Sequence, residues 1–119
     1  MIPGMRNTIK NHDDFIMMDE NPKALSAFFI VRAKPAKFPN DPRVGFTATK
    51  KTFRHAVDRN LAKRKMRDWV RAHESRLLPN MDYVFIARHA IGDASRDDGR
   101  AAMARALHYI ARTAGGDAE

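Results

Sequence analysis

Arg59, Lys63, Arg67 and Arg71 recur every four residues. On a helix this spacing stacks side chains over one another, rising about 6 Å per step. Such a column suits phosphates. Arginine presents a planar fork that engages two phosphate oxygens or a base edge, and lysine adds a hydrated point charge. Lys50, Lys51, Arg54, Asn60 and Arg64 belong to the same stretch. Between Lys50 and Arg71 nine basic residues stand against Asp58 and Asp68, so this segment holds +7 of the chain's net +8. Like charges four apart on a helix repel by roughly 0.2–0.5 kcal/mol per pair, a cost that an anionic partner reverses. The acids that ordinarily alternate with lysines on a solvated helix face are missing, which marks the column as the footprint of a polyanion.

No comparable set is available for catalysis by protein side chains. His12, His55, His73, His89 and His108 show no metal-ligand spacing. His12 beside Asp13 and Asp14 is the nearest approach to a metal group, and acids at a helix start ordinarily serve the helix dipole. His55 and His73 fall near the apolar side of the basic helix and read as packing residues. Gly115 and Gly116 lie too near the end to form a phosphate-cradling loop before a helix. The absence of cysteine removes thiolate metal sites, disulfides and cysteine nucleophiles together, and favours the cytoplasm. No apolar run reaches the length of a membrane span, and the charged first 20 residues do not resemble a signal peptide, so neither membrane insertion nor secretion is expected.

The elements that must position the column follow from periodicity. With 119 residues the chain fits one domain, 1–119, with an ordered core over about 8–112 and a frayed tail over 113–119. Residues 53–73 lack Gly and Pro and are rich in helix formers. At about 100° per residue, Ala62, Met66, Trp69 and Val70 fall within roughly 60° of His55, while Asn60, Lys63, Arg64, Arg67 and Arg71 occupy roughly 80–180°. One helix thus has a packed side and a cationic side, with Arg59 at their boundary. Residues 27–33 (AFFIVRA) and 82–88 (DYVFIAR) read as strands, and 43–49 alternates apolar and polar like a half-buried strand. The first and second of these in chain order, 27–33 and 43–49, are expected to pair as a hairpin across the proline-rich 35–42. A short helix through Phe15 to Met18, capped by Asn11 or Asp13, must end before Pro22. A last helix starts at Ser95, Asp97 or Asp98 and buries Met103, Leu107, Ile110 and Ala111.

Two stretches carry a family likeness. RVGFTATKK followed by AVDRNLAKRKMRDWVR resembles the signature of the bacterial ribonuclease P protein subunit: a strand ending in two lysines, Lys50 and Lys51, then a helix bearing Arg59-Asn60, Lys63-Arg64, Arg67 and Arg71. DYVFIARHA resembles that family's last strand, and DDF ending at Phe15 its first helix, so the likeness runs from about residue 8 to 112. Phe53, Arg54 and His55 replace the commoner Gly-Asn at the helix join, Asp68 stands for a commoner Glu, and Asp19 occupies the position of a second aromatic one turn after Phe15. Ala62 is smaller than the usual branched aliphatic, a volume that Trp69 or Met66 can fill.

The resemblance implies an α/β (α+β) sandwich: one mixed sheet with helices on one face, in the order α-β-β-α-β-α, with the left-handed crossover of the ribosomal-protein-like RNA-binding fold. It implies a cytoplasmic RNA-binding subunit that assists a catalytic RNA, with Mg2+ bound mainly by that RNA, in removing the 5′-leader of precursor tRNA. The partners implied are the ribonuclease P RNA and precursor tRNA; no membrane or protein partner is required. The RNA-binding residues would be Lys50, Lys51, Arg54, Arg59, Asn60, Lys63, Arg64, Arg67 and Arg71. A cleft for the single-stranded leader would use Phe15, Phe28 and Ile30, since stacking on aromatic rings is sequence-tolerant. Phe28 and Ile30 share one strand face, Phe29 and Val31 the other; one pair is core and the other is free for the cleft. The alternatives are a ribosomal or other structural RNA-binding protein without a role in cleavage, and a stand-alone ribonuclease, for which the titratable residues offer no active site.

Overall fold

The computed structural model describes residues 7–9, 15, 21–38 and 40–114. Five strands, β1 (Asn7–Thr8), β2 (Lys23–Leu25), β3 (Phe29–Pro35), β4 (Arg43–Thr47) and β5 (Met81–Ala87), form one mixed sheet in the order β1-β4-β5-β3-β2. Two helices accompany it, α1 (Ala56–Ala72) and α2 (Arg96–Ala114). The short helix expected at Phe15 to Met18 falls outside the described residues apart from Phe15 itself, and so does the His12, Asp13 and Asp14 group.

The expected hairpin between the strands at 27–33 and 43–49 does not form. β5 lies between them, antiparallel to β3 (Val31 opposite Phe85) and parallel to β4 (Phe46 opposite Phe85). The cause is visible in β5: six of its seven residues are buried, so both of its faces and both of its edges need cover that only a central position supplies. The proline-rich connection is held to the sheet instead of closing a hairpin between β3 and β4. The Asp82 carboxylate, fully buried, accepts from the backbone N–H of Arg43 (2.7 Å) and of Lys37 (3.3 Å), and from the Arg43 guanidinium (3.4 Å).

Side-chain alternation separates two faces. Ala24, Phe29, Val31, Ala33, Val44, Phe46, Tyr83, Phe85 and Ala87 point to the face covered by the helices. Against them α1 places Ala62, Met66, Trp69 and Val70, and α2 places Ala102, Met103, Ala106, Leu107 and Ile110. Trp69 is 1% exposed and Met66 0%, so both lie in the same buried cluster as Ala62. The Trp69 ring lies against Gly99 of α2, where a Cβ would collide with it, so a glycine in the first turns of a helix here has a packing reason. Ser95 starts α2 as expected: its Oγ accepts the Asp98 N–H at 3.1 Å.

Candidate nucleic-acid interface

Helix α1 lies on the sheet with its apolar stripe down, which turns the cationic stripe outward. Lys50 and Lys51 sit on an exposed turn between β4 and α1, closed by Phe53 N–H on the Thr49 carbonyl (2.9 Å) and Thr52 N–H on Thr49 Oγ1 (3.2 Å). Arg54, Asn60, Arg64 and Arg71 are exposed and Lys63 is half-buried. Among the described residues, none of these seven side chains makes a hydrogen bond or ion pair with another part of the protein. Their donors face solvent.

The remaining members of the column are partly engaged. Arg59 Nη1 donates to the carbonyls of Phe53 (2.9 Å) and Arg54 (3.2 Å), fixing the join ahead of the helix, where His55 offers no side-chain cap. Arg67 lies over the Phe46 ring, its guanidinium carbon 5.2 Å from the centroid, a cation–π contact that keeps the fork near the β4 side of the helix. Lys65, which composition counts with the others, differs altogether: its ammonium donates to the carbonyls of Ile91, Gly92 and Ala94 at 3.0–3.1 Å. Those carbonyls belong to the 3-10 turn His89–Asp93 and the residue after it. A helical wheel shows that Lys65 leaves the cationic stripe but not what it meets.

The histidine expectation divides. His55 is exposed at the N-terminus of α1, where the helix begins only at Ala56 and Ala56, Val57 and Asp58 are exposed too. His73 is half-buried, with Nε2 3.0 Å from the Arg100 carbonyl. Among the described residues no group of three or more His, Asp or Glu side chains gathers as a metal site.

The opposite sheet face carries the residues expected at a leader cleft, with one correction. Ile30 and Ile86, opposite each other on β3 and β5 and both half-buried, share this face with Thr47, Val84 and Gly45. Phe15 lies on it too, for a Cβ on Gly45 would come within 2.6 Å of the Phe15 ring. A glycine in a strand that otherwise alternates is the sequence signal for such a close approach. Phe28 is not on this face. It precedes β3 in a turn in which Ser26 Oγ accepts the N–H groups of Phe28 and Phe29, both at 3.1 Å, so strand alternation does not govern it. Its ring lies 6.0 Å from that of Trp69, on the helix side.

Comparison with known proteins bears on the family and the fold. The ribonuclease P family model matches residues 5–111. The chain is 31% identical over 108 residues to the ribonuclease P protein component of Idiomarina loihiensis, covering 91% of this chain and 82% of that protein. It is 40% identical over 87 residues to that of Caulobacter vibrioides, covering 71% and 57%. The structure of the Staphylococcus aureus RNase P protein superposes with a TM-score of 0.70 at 26% identity, covering 85% of this chain and 92% of that one.

Proposed function

This chain belongs to the ribonuclease P protein family, and from that premise we propose that it is the RNA-binding subunit of ribonuclease P. In this reading it binds the catalytic RNA and the 5′-leader during endonucleolytic maturation of precursor tRNA. The observation that carries the reading is the outward face of α1. Lys63, Arg64 and Arg71, with Lys50, Lys51, Arg54 and Asn60 beside them, have donors that no described residue uses, while the apolar side of the same helix is sealed in the core. Phosphates of a folded RNA replace the water on these donors and release counterions. Arg59 and Arg67 contribute at the edge of this face with their remaining amino groups.

Hydrolysis belongs to the RNA and to magnesium held mainly by it; the protein supplies binding and position. The leader is assigned to the sheet face bearing Phe15 and Ile30, where a base can stack on the half-exposed ring. Phe28, packed against Trp69, has no part in it. The experiment combines purified protein, a bacterial ribonuclease P RNA and precursor tRNA at low magnesium. Cleavage should require both components; cleavage by protein alone, or RNA cleavage that the protein does not stimulate, rejects the proposal. In the same particle Phe15→Ala should weaken precursor tRNA by about 1–3 kcal/mol and mature tRNA little, and equal losses for both ligands would remove Phe15 from the leader site.

A further inference from the structure

Where α1 meets the start of α2, the cationic face does not stop. A groove of about 500 Å³ runs between them, with Arg64, Arg67 and Arg71 on the α1 side, Arg96 on the α2 side and Asp68 between. An acid in such company opposes anion binding unless it holds something in place. Asp68 does: its Oδ1 is 3.4 Å from Arg100 Nη2, and its Oδ2 is 3.9 Å from Arg96 Nε. Arg100 anchors the carboxylate to α2, while the Arg96 side chain is 72% exposed. Asp68 comes within 3.9 Å of Arg96 at Nε, and among the described residues the terminal amino groups of Arg96 have no acceptor. That two-nitrogen edge is the part of arginine that grips two oxygens of one phosphate. An exposed pair at this distance adds little to stability; its physical consequence is to keep the Arg96 side chain beside the groove.

We propose that this groove is a further phosphate-binding strip for the catalytic RNA, with Arg96 as its outer ligand and Asp68 as the positioning residue for Arg96. The proposal rests on the reading that α1 binds that RNA, and it extends the surface around the helix by sharing Arg64 and Arg71 with it. The ligand is the phosphodiester backbone of a folded RNA. Arg96 lies in a different element from the sequence signature, so helical periodicity in 53–73 has no means of including it.

The test measures affinity for ribonuclease P RNA across a potassium chloride series for wild type, Lys63→Ala, Arg96→Ala, Arg96→Lys, Asp68→Asn and Asp68→Glu. Arg96→Ala should bind about three- to tenfold more weakly, with the salt slope reduced by about 0.7–0.9, one phosphate contact. Arg96→Lys should recover the slope without the full affinity, because lysine keeps the charge and loses the fork. Asp68→Asn should also weaken binding although it removes a negative charge, and Asp68→Glu should restore it. Tighter binding by Asp68→Asn would overturn the positioning role, since that is the effect of relieving plain repulsion. Wild-type affinity and slope in Arg96→Ala, with both reduced in Lys63→Ala, would overturn the strip and leave the α1 face intact. Both variants unchanged would bring down the α1 reading itself. Urea melts of Arg96→Ala should show the wild-type midpoint, as for other exposed substitutions.

Discussion

The two flanks of α1 carry similar residue types and use them differently. On the flank toward α2 the protein consumes its own polar groups: Lys65 closes on three carbonyls, Asp68 meets Arg100, His73 meets the Arg100 carbonyl, and Trp69 fills the space over Gly99. On the outward face and the flank toward β4, Lys63, Arg64 and Arg71 make no such contact among the described residues, and Arg67 rests on an aromatic ring. Counting lysines and arginines therefore overstates the RNA surface. A basic residue belongs to it when its donors are left over after the fold has been satisfied, and Lys65 fails that test although the preceding Lys63 and Arg64 pass it.

The contrast can be broken from the α2 flank, where substitutions other than those at Asp68 and Arg96 should act on stability. The largest effect is expected for Trp69→Ala, at about 3–5 kcal/mol in urea melts, because a fully buried aromatic leaves a cavity that the surrounding helices cannot close. A loss under about 1 kcal/mol would mean that α1 is rotated relative to the core. Gly99→Ala should cost about 1–3 kcal/mol through overpacking against the same ring, and a neutral result would show that the two helices can separate freely. Lys65→Met keeps the aliphatic stem and removes the ammonium, so three carbonyls lose a charged donor. It should cost about 1–2 kcal/mol, reduced from the buried value because the site is half-exposed, with the salt dependence of RNA binding nearly unchanged. A salt slope reduced by a full contact would place Lys65 on the RNA side of the division.

Much of this is legible in the sequence. Composition located the charge, and the 3.6-residue period separated Ala62, Met66, Trp69 and Val70 from the cationic stripe because helix periodicity is local and this helix has no Gly or Pro to interrupt it. Strand pairing was not legible in the same way. The preference of neighbouring strands to pair is only a tendency, and here it yields to the need to bury both faces of β5. Phe28 was misplaced for a related reason: alternation applies inside a strand, and Ser26 turns the chain just before β3 begins. The roles of Lys65, Asp68 and Arg96 depend on contacts between elements 26 to 32 residues apart in sequence, which no single-element pattern encodes. Gly45 did carry a signal, a glycine inside an alternating strand, whose meaning became definite only with Phe15 above it.

In this reading one helix divides into a flank that holds the fold and a face that holds the RNA. This division is tested most directly by measuring Arg71→Ala and Lys65→Met side by side, each by urea melt and by the salt dependence of its affinity for ribonuclease P RNA. Opposite outcomes are expected: Arg71→Ala stays within about 0.5 kcal/mol of wild-type stability while its salt slope falls by about 0.7–0.9, and Lys65→Met loses stability while keeping its slope. If both variants shift stability and slope together, or if Arg71→Ala leaves the slope unchanged, the division does not exist.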